Sequence, residues 1–200
     1  MVRAAIIYTA TAFDLIAILL IFFAKAETKK QRRQIYIGQF IGSSTLIVIS
    51  LFLAYVLGFV PDKWILGLLG LVPIYFGLKV AFFGDDEGAA AEKQMDQKGL
   101  GQLVRTVTVV VIATCGADNI GLFTPYFITL EVNELITTLI VFFILIFVVV
   151  FSAGLLSNIP GVGEVIEKFS RWIIAIVYIG VGVLIIYENK TVQTLLSFLN

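Results

Sequence analysis

Two aspartates stand inside long apolar stretches of the sequence. Asp14 lies in "TAFDLIAIL" and Asp118 lies in "CGADNIGLF", whereas the other acidic residues lie in or next to polar segments. An ionised carboxylate at the centre of a membrane helix costs about 2.5–3.5 kcal/mol on insertion scales, so it needs a proton, a polar partner or a bound cation. Two such carboxylates together would neutralise one divalent cation, or would hold protons in its place.

Ligand atoms and helix-breaking residues surround Asp118. Thr114 and Asn119 add oxygen atoms. Cys115, the one cysteine of the chain, adds a sulfur that would favour Cd²⁺ or Zn²⁺ as a thiolate, although a lone buried cysteine often only packs. Three residues predict that this helix opens near its middle and exposes carbonyl groups to a cavity; they are Gly116, Gly121 and Pro125. The predicted ion path includes Asp14, Asp118, Asn119, Cys115, Thr114 and Thr11. The predicted metal ligands within it are Asp14, Asp118, Cys115 and Asn119.

Missing residue types narrow the chemistry further. The chain has no histidine, and its two methionines are Met1 and Met95, which excludes a histidine-rich zinc site and a thioether relay. There is no glycine-rich phosphate loop and no Ser/His/Asp set, so the sequence favours a transporter over an enzyme. We expect no permanently bound cofactor, because the cation would be the cargo.

The composition is that of a membrane protein. Of 200 residues, 60% are apolar and 14% are charged, and the mean hydropathy is +1.02. A bilayer core of ~30 Å needs about 20 apolar residues per helix. The sequence therefore predicts an all-α integral membrane protein with six transmembrane helices, at 4–24, 35–60, 64–83, 103–127, 135–157 and 172–187. The sixth of these segments is the shortest.

Basic residues concentrate on one side of this predicted bundle. If each helix crosses once, the segments 25–34, 84–102 and 158–171 share a side, and the two termini lie on the other. Eleven of the 14 basic residues fall on or next to the first side; they are Lys25, Lys29, Lys30, Arg32, Arg33, Lys79, Lys93, Lys98, Arg105, Lys168 and Arg171. The positive-inside rule makes that side cytoplasmic and places both termini outside. The formal net charge of +0 gives no indication of a nucleic-acid partner.

The two halves of the chain resemble each other. Placing Asp14 over Asp118 aligns their surroundings, and "TLIV" recurs at 45–48 and 138–141. Because each half contains three helices, the second copy would be inverted in the membrane, with the transport site near the midplane where the copies meet. The sequence therefore predicts two inverted three-helix repeats, at 1–83 and 103–200. A cytoplasmic acidic and polar linker, at 84–102, joins them.

At these residues the sequence resembles the cadmium-resistance transporters of the lysine-exporter superfamily. The resemblance covers nearly the whole chain and is carried by "FDLIAILLIFFA" (13–24), "GQFIG" (38–42), "LLGLVPIYFGLK" (68–79) and "ATCGADNIGLFTPYF" (113–127). It implies a multi-pass exporter of the bacterial plasma membrane that confers tolerance to Cd²⁺, with the acidic motifs of both halves on the ion path. The matching site residues are Asp14, Cys115, Gly116, Asp118 and Asn119. The family's first motif usually has two adjacent acidic residues, but Phe13 precedes Asp14 here, so the metal and the number of coupled protons stay open.

The favoured function is therefore proton-coupled export of divalent heavy-metal cations, with Cd²⁺ first and Zn²⁺ or Mn²⁺ after it. The expected partners are the metal ion, protons and the lipid bilayer, and a homodimer is expected because exporters of this size often dimerise. Gln39 on the second helix could reach the path, although small polar residues such as its neighbour Ser43 also suit helix packing.

Three alternatives remain open. Both aspartates could stay protonated and only form hydrogen bonds between helices. The protein could instead export an organic cation or an amino acid, with an aromatic cage drawn from Tyr8, Phe13, Phe123 and Tyr126. It could also sequester metal in the membrane without transporting it.

Overall fold

The computed structural model describes residues 2–59, 63–83, 103–159 and 161–197, and every regular element within these ranges is an α-helix. The helices are α1 (Val2–Ala24), α2 (Lys29–Leu57), α3 (Lys63–Leu68), α4 (Leu71–Phe83), α5 (Leu103–Ile128), α6 (Val132–Leu156), α7 (Val162–Glu188) and α8 (Thr191–Ser197). The all-α prediction is confirmed for this part of the chain. The predicted linker 84–102 lies outside the described residues, and the division into two repeats stays a prediction.

Five segments are long and apolar enough to cross a membrane. They are Val2–Ala24, Lys29–Leu57, Trp64–Phe83, Leu103–Ile128 and Val132–Leu156, and they coincide with the first five predicted spans. The sixth predicted span falls in the second part of α7, where the apolar stretch Trp172–Glu188 is shorter than the other five. The described structure thus supports five spans, and the sixth stays a prediction.

Two helices begin earlier than their apolar runs. The side chain of Thr28 accepts a hydrogen bond from the backbone of Gln31, whose side chain accepts one from the Thr28 backbone, and this capping box starts α2 at Lys29. Gly161 has a left-handed backbone with φ of 78° directly before α7. The segments 25–34 and 158–171, predicted as connections, are therefore partly helical. The sequence predicted connections there because the first turns of these two helices are rich in charged residues, as loops are.

Helices α2 and α5 lie parallel and in close contact through two glycines of α2. A Cβ on Gly38 would lie 2.8 Å from the Cβ of Val107, and one on Gly42 would lie 3.0 Å from the Cγ1 of Val111. Thr108 donates a hydrogen bond of 3.0 Å to the carbonyl of Gly38. This is the small-xxx-small arrangement that lets membrane helices approach each other, and it accounts for the "GQFIG" stretch as a packing surface.

Helix α1 packs beside α6 and is the most enclosed of the five candidate spans. The rings of Tyr8 and Phe142 lie 5.1 Å apart, and further along both helices the ring of Phe23 approaches Gly154. The residue numbers rise together on both helices, so α1 and α6 run in the same direction.

Helix α4 runs antiparallel to α7, and glycines again allow the contact. Gly70, directly before α4, and Gly182 lie so close that a Cβ on either would clash with the carbonyl oxygen of the other. About two turns after Gly70, a Cβ on Gly77 would lie 2.9 Å from the Cγ1 of Ile179. Together with the turn at 69–70, this contact divides the third span into α3 and α4.

Long-range contacts define the two ends of the bundle. At one end, Arg3 forms an ion pair of 2.7 Å with Glu188, which joins the start of α1 to the end of α7. At the opposite end, Arg32 joins the start of α2 to the end of α6 through Gly154 and Ser157. These are called the Arg3 end and the Arg32 end below.

Large apolar side chains cover the outside of the bundle. On α6 they recur every three or four residues and form one exposed stripe; its members are Ile136, Ile140, Phe143, Ile144, Phe147, Val148, Phe151 and Leu155. An apolar face outside an apolar core is the arrangement of a helix that contacts lipid.

Candidate functional site

The two predicted aspartates lie near the middle of their helices. Asp14 is about 15 Å from the Ala24 end of α1, and Asp118 is about 15 Å from the Ile128 end of α5, at 1.5 Å per residue. Asp14 is only 5% exposed and Asp118 is half-buried. Each of the two residues has an interaction partner within the structure.

A narrow gap separates α1, α2 and α5 at this level. It is lined by Tyr8, Leu15, Ser43, Leu46, Asn119 and Phe123, and it is too narrow to admit a water molecule. Leu15 is the neighbour of Asp14, and Asn119 is the neighbour of Asp118. The structure therefore brings the two aspartate-bearing segments to one level of the bundle, although the gap is lined by their neighbours and not by the aspartates themselves.

The predicted oxygen ligands donate hydrogen bonds to their own helices. Thr11 donates to the carbonyl of Tyr8 at 3.0 Å, and Thr114 donates to the carbonyl of Val110 at 2.7 Å. The Nδ2 of Asn119 donates to the carbonyl of Cys115 at 2.9 Å. Such bonds use the donor atoms and leave the oxygen lone pairs of the hydroxyl and amide groups as acceptors.

The thiol of Cys115 lies inside the bundle. Its residue is 1% exposed, and the Thr114 hydroxyl lies 3.6 Å from its Sγ. In the described part of the chain, no three His, Cys, Asp or Glu side chains gather as a metal-binding group. The metal ligand set of Asp14, Asp118, Cys115 and Asn119 stays a prediction.

Helix α5 runs without interruption through the residues that predicted an opening. Gly116, Gly121 and Pro125 all lie within Leu103–Ile128. A Cβ on Gly121 would lie 2.8 Å from the ring of Phe76 on α4, and Gly116 faces Leu46 on α2. The opened helix is thus not present in this structure, and Gly121 instead allows α4 to pack closely against α5.

Helix α2 contributes a polar pair that the sequence indicated only weakly. Gln39 is fully buried, and its Nε2 donates a hydrogen bond of 2.8 Å to the Oγ of Ser43, which lines the gap. The Oε1 of Gln39 has no hydrogen-bond partner. Leaving one end of a buried amide unpaired costs about 1–3 kcal/mol. The i,i+4 spacing of the two residues was the available signal, but it is equally typical of helix packing.

A layer of aromatic rings closes the gap towards the Arg3 end. The ring of Phe123 lies 6.3 Å from that of Tyr8, 4.9 Å from that of Phe142 and 6.0 Å from that of Phe127. Two members of the predicted aromatic cage, Tyr8 and Phe123, therefore pack against other rings. The faces and edges of these two rings are thus in contact with other rings in this conformation.

Arg32 contacts two other helices at the opposite end of the bundle. Its Nη2 donates to the carbonyl of Gly154 and to the Oγ of Ser157, both at 3.0 Å, and its guanidinium lies 5.4 Å from the ring centre of Phe23. A cation at the C-terminal end of α6 satisfies carbonyl groups that the helix itself leaves without partners. Arg32, which the sequence indicated only as part of a basic cluster, thus ties three helices together.

The apolar outer surface and the buried polar side chains at mid-bundle are features of a membrane transport protein. Comparison with curated proteins found no match, and comparison with solved structures found none. A comparison with protein families matched residues 8–198, nearly the full length, to a family described as cadmium resistance transporter. The chain belongs to the cadmium resistance transporter family.

Proposed function

We propose that this protein exports divalent heavy-metal cations, Cd²⁺ first among them, across the bacterial plasma membrane in exchange for protons. The observation that carries the proposal is the narrow gap at mid-bundle, whose lining includes Leu15 and Asn119, the sequence neighbours of Asp14 and Asp118. Asp14 and Asp118 are the acidic residues that the apolar spans place at this level.

Charge balance supports a divalent cation as the cargo. Two ionised carboxylates compensate the charge of one such cation, and no basic side chain is needed at that depth. Once the cation has left, the two carboxylates would lie inside the bundle without its compensating charge. Proton uptake by the pair would then restore electrical neutrality, which couples the metal to protons without a further charged group.

The directions of the helices support the two inverted repeats. Exchanging the halves replaces α1 by α5, α2 by α6, and the α3–α4 span by α7. The parallel pair of α2 with α5 then becomes the pair of α6 with α1, which is also in contact and parallel, and the antiparallel pair of α4 with α7 maps onto itself. We infer six crossings, with both termini outside and the Arg32 end in the cytoplasm.

The preference for a soft metal depends on Cys115. Its buried sulfur lies on α5 within one turn of Asp118, and a thiolate binds Cd²⁺ or Zn²⁺ in preference to harder cations. Oxygen ligands alone would favour Mn²⁺, Ca²⁺ or Mg²⁺.

The test is metal flux into sealed proteoliposomes under an imposed pH gradient, with Asp118→Asn and Asp14→Asn compared with the parent. Both changes keep size and hydrogen bonding but delete half of the compensating charge. A penalty of about 2.5–3.5 kcal/mol for an uncompensated charge corresponds to a loss of affinity on the order of a hundredfold. Glu27→Gln, at an exposed carboxylate between α1 and α2, is the matched control and should transport like the parent.

Three results would contradict the proposal. Normal Cd²⁺ flux in Asp118→Asn would place the ion path elsewhere. Binding of Cd²⁺ without any flux in the parent would indicate metal sequestration. Stabilisation and flux with organic amines, and none with metals, would indicate an exporter of organic cations.

A further inference from the structure

A buried amide on α2, next to a residue that lines the gap, has one polar atom without a hydrogen-bond partner. Gln39 is 0% exposed; its Nε2 donates to Ser43, and its Oε1 lacks a hydrogen-bond partner. Turning the amide over would pair its oxygen with the serine hydroxyl and leave the NH₂ group unpaired instead. In either orientation Ser43 satisfies only one end of the amide, so the other end can accept a water molecule or a bound ion as its partner.

The amide is continuous with the gap. Ser43 lines the gap together with Asn119, and the hydroxyl of Tyr8 faces Ser43 without the alignment of a regular hydrogen bond. Gln39 lies one turn of α2 from Ser43, towards the Arg32 end. The polar groups of Tyr8, Ser43 and Gln39 therefore follow one another from the level of the gap towards that end.

Helix packing does not require this amide. The contact of α2 with α5 is made by Gly38 and Gly42 against Val107 and Val111, and Thr108 adds a hydrogen bond to the backbone of Gly38. A methionine or leucine at position 39 would fill a similar volume without an unpaired polar atom. Buried polar groups without a protein partner are explained by stored strain, by a catalytic role, or by a bound water or ion.

We propose that Gln39 and Ser43 supply neutral oxygen ligands to the divalent cation as it passes between the gap and the Arg32 end, and that Gln39 extends the selectivity of the path to harder cations. The inference rests on the proposed function. Amide and hydroxyl oxygens are hard ligands, whereas the sulfur of Cys115 on α5 is soft. The wall formed by α2 would thus favour Mn²⁺, and the wall formed by α5 would favour Cd²⁺.

The test compares Gln39→Met with Gln34→Met, which makes the same change at a half-buried glutamine on the same helix. Flux and metal-dependent thermal stabilisation are measured for each variant with Mn²⁺ and with Cd²⁺ separately. Replacing the amide by a thioether should lower the response to Mn²⁺ relative to Cd²⁺ by about fivefold, the effect of one lost polar contact. Gln34→Met should keep the parent's ratio, and Gln39→Glu, which keeps an oxygen at the same place, should raise the apparent affinity for Mn²⁺.

An unchanged ratio of Mn²⁺ to Cd²⁺ in folded Gln39→Met would overturn the inference while leaving metal export intact. If Gln39→Met does not fold, Gln39→Glu decides: a raised Mn²⁺ affinity supports the ligand role, and an unchanged one overturns it. A parent protein that responds to neither metal would refute the proposed function itself, and the inference with it.

Discussion

A methyl group at Gly38 should force α2 away from α5. The Cβ of an alanine there would lie 2.7 Å from the carbonyl oxygen of Val104 and 2.8 Å from the Cβ of Val107. Neither atom can rotate away, since one belongs to the backbone and the other is fixed to it. Gly38→Ala can therefore be accommodated only if the two helices separate, which also strains the hydrogen bond from Thr108 to the Gly38 carbonyl.

The expected size of the effect follows from two opposing contributions. Overpacking a close contact costs about 1–3 kcal/mol, whereas replacing glycine by alanine inside a helix gains about 0.5–1 kcal/mol. Gly180 on α7 provides the control, because a Cβ there meets nothing within 4 Å. Gly180→Ala should therefore gain the helix stabilisation of alanine without any overpacking cost. The difference in unfolding free energy between the two variants should therefore be about 1–3 kcal/mol, the overpacking cost by itself.

The assay is thermal unfolding of both variants in the same detergent, followed by far-UV circular dichroism. At about 2–4 °C per kcal/mol for a chain of this length, Gly38→Ala should melt roughly 2–12 °C below Gly180→Ala. Since Gln39 and Ser43 lie on the displaced helix, metal flux should fall in Gly38→Ala and not in Gly180→Ala. Equal melting temperatures would refute the assignment of "GQFIG" as the packing surface between α2 and α5.

Two further changes probe the soft ligand and the Arg32 end. Cys115→Ser exchanges sulfur for oxygen and should weaken Cd²⁺ uptake selectively while Mn²⁺ uptake persists; equal uptake of both metals by variant and parent would assign the thiol to packing. Arg32→Ala removes the contacts to Gly154 and Phe23 and should lower the free energy of unfolding by about 1–3 kcal/mol. Arg33→Ala, at the exposed neighbour, should change it little, and indistinguishable melting curves for the two arginine variants would show that the contacts at the end of α6 add no stability.

The membrane spans were predictable because lipid imposes the same demand along each whole segment. An apolar run of about 20 residues has few other uses, and five such runs coincide with helices of the structure. Helix starts were harder to place. The capping box of Thr28 and Gln31 was visible in the sequence, but the basic residues beside it have the composition of a cytoplasmic loop. The capping box was thus the one local signal for the start of α2, and the basic composition outweighed it.

The candidate site could be proposed from charge, whereas its packing could not be predicted. A carboxylate in an apolar run is costly wherever its neighbours lie, so Asp14 and Asp118 could be singled out from the sequence alone. Whether Gly121 opens a helix or admits the ring of Phe76 depends on a partner from a distant part of the chain. The unpaired amide oxygen of Gln39 is likewise apparent only once its surroundings are known.

The narrowness of the gap bears on how the cell keeps its electrochemical gradients. Protons cross proteins by hopping along files of hydrogen-bonded water, and a gap that admits no water molecule breaks such a file. The aromatic layer lies on one side of the gap, and Arg32 with Phe23 lies at the other end of the bundle. In this conformation the gap gives protons no continuous file of water at this level of the bundle. A carrier that passes through such a state in each cycle can move ions by changing shape without discharging the membrane potential between turnovers.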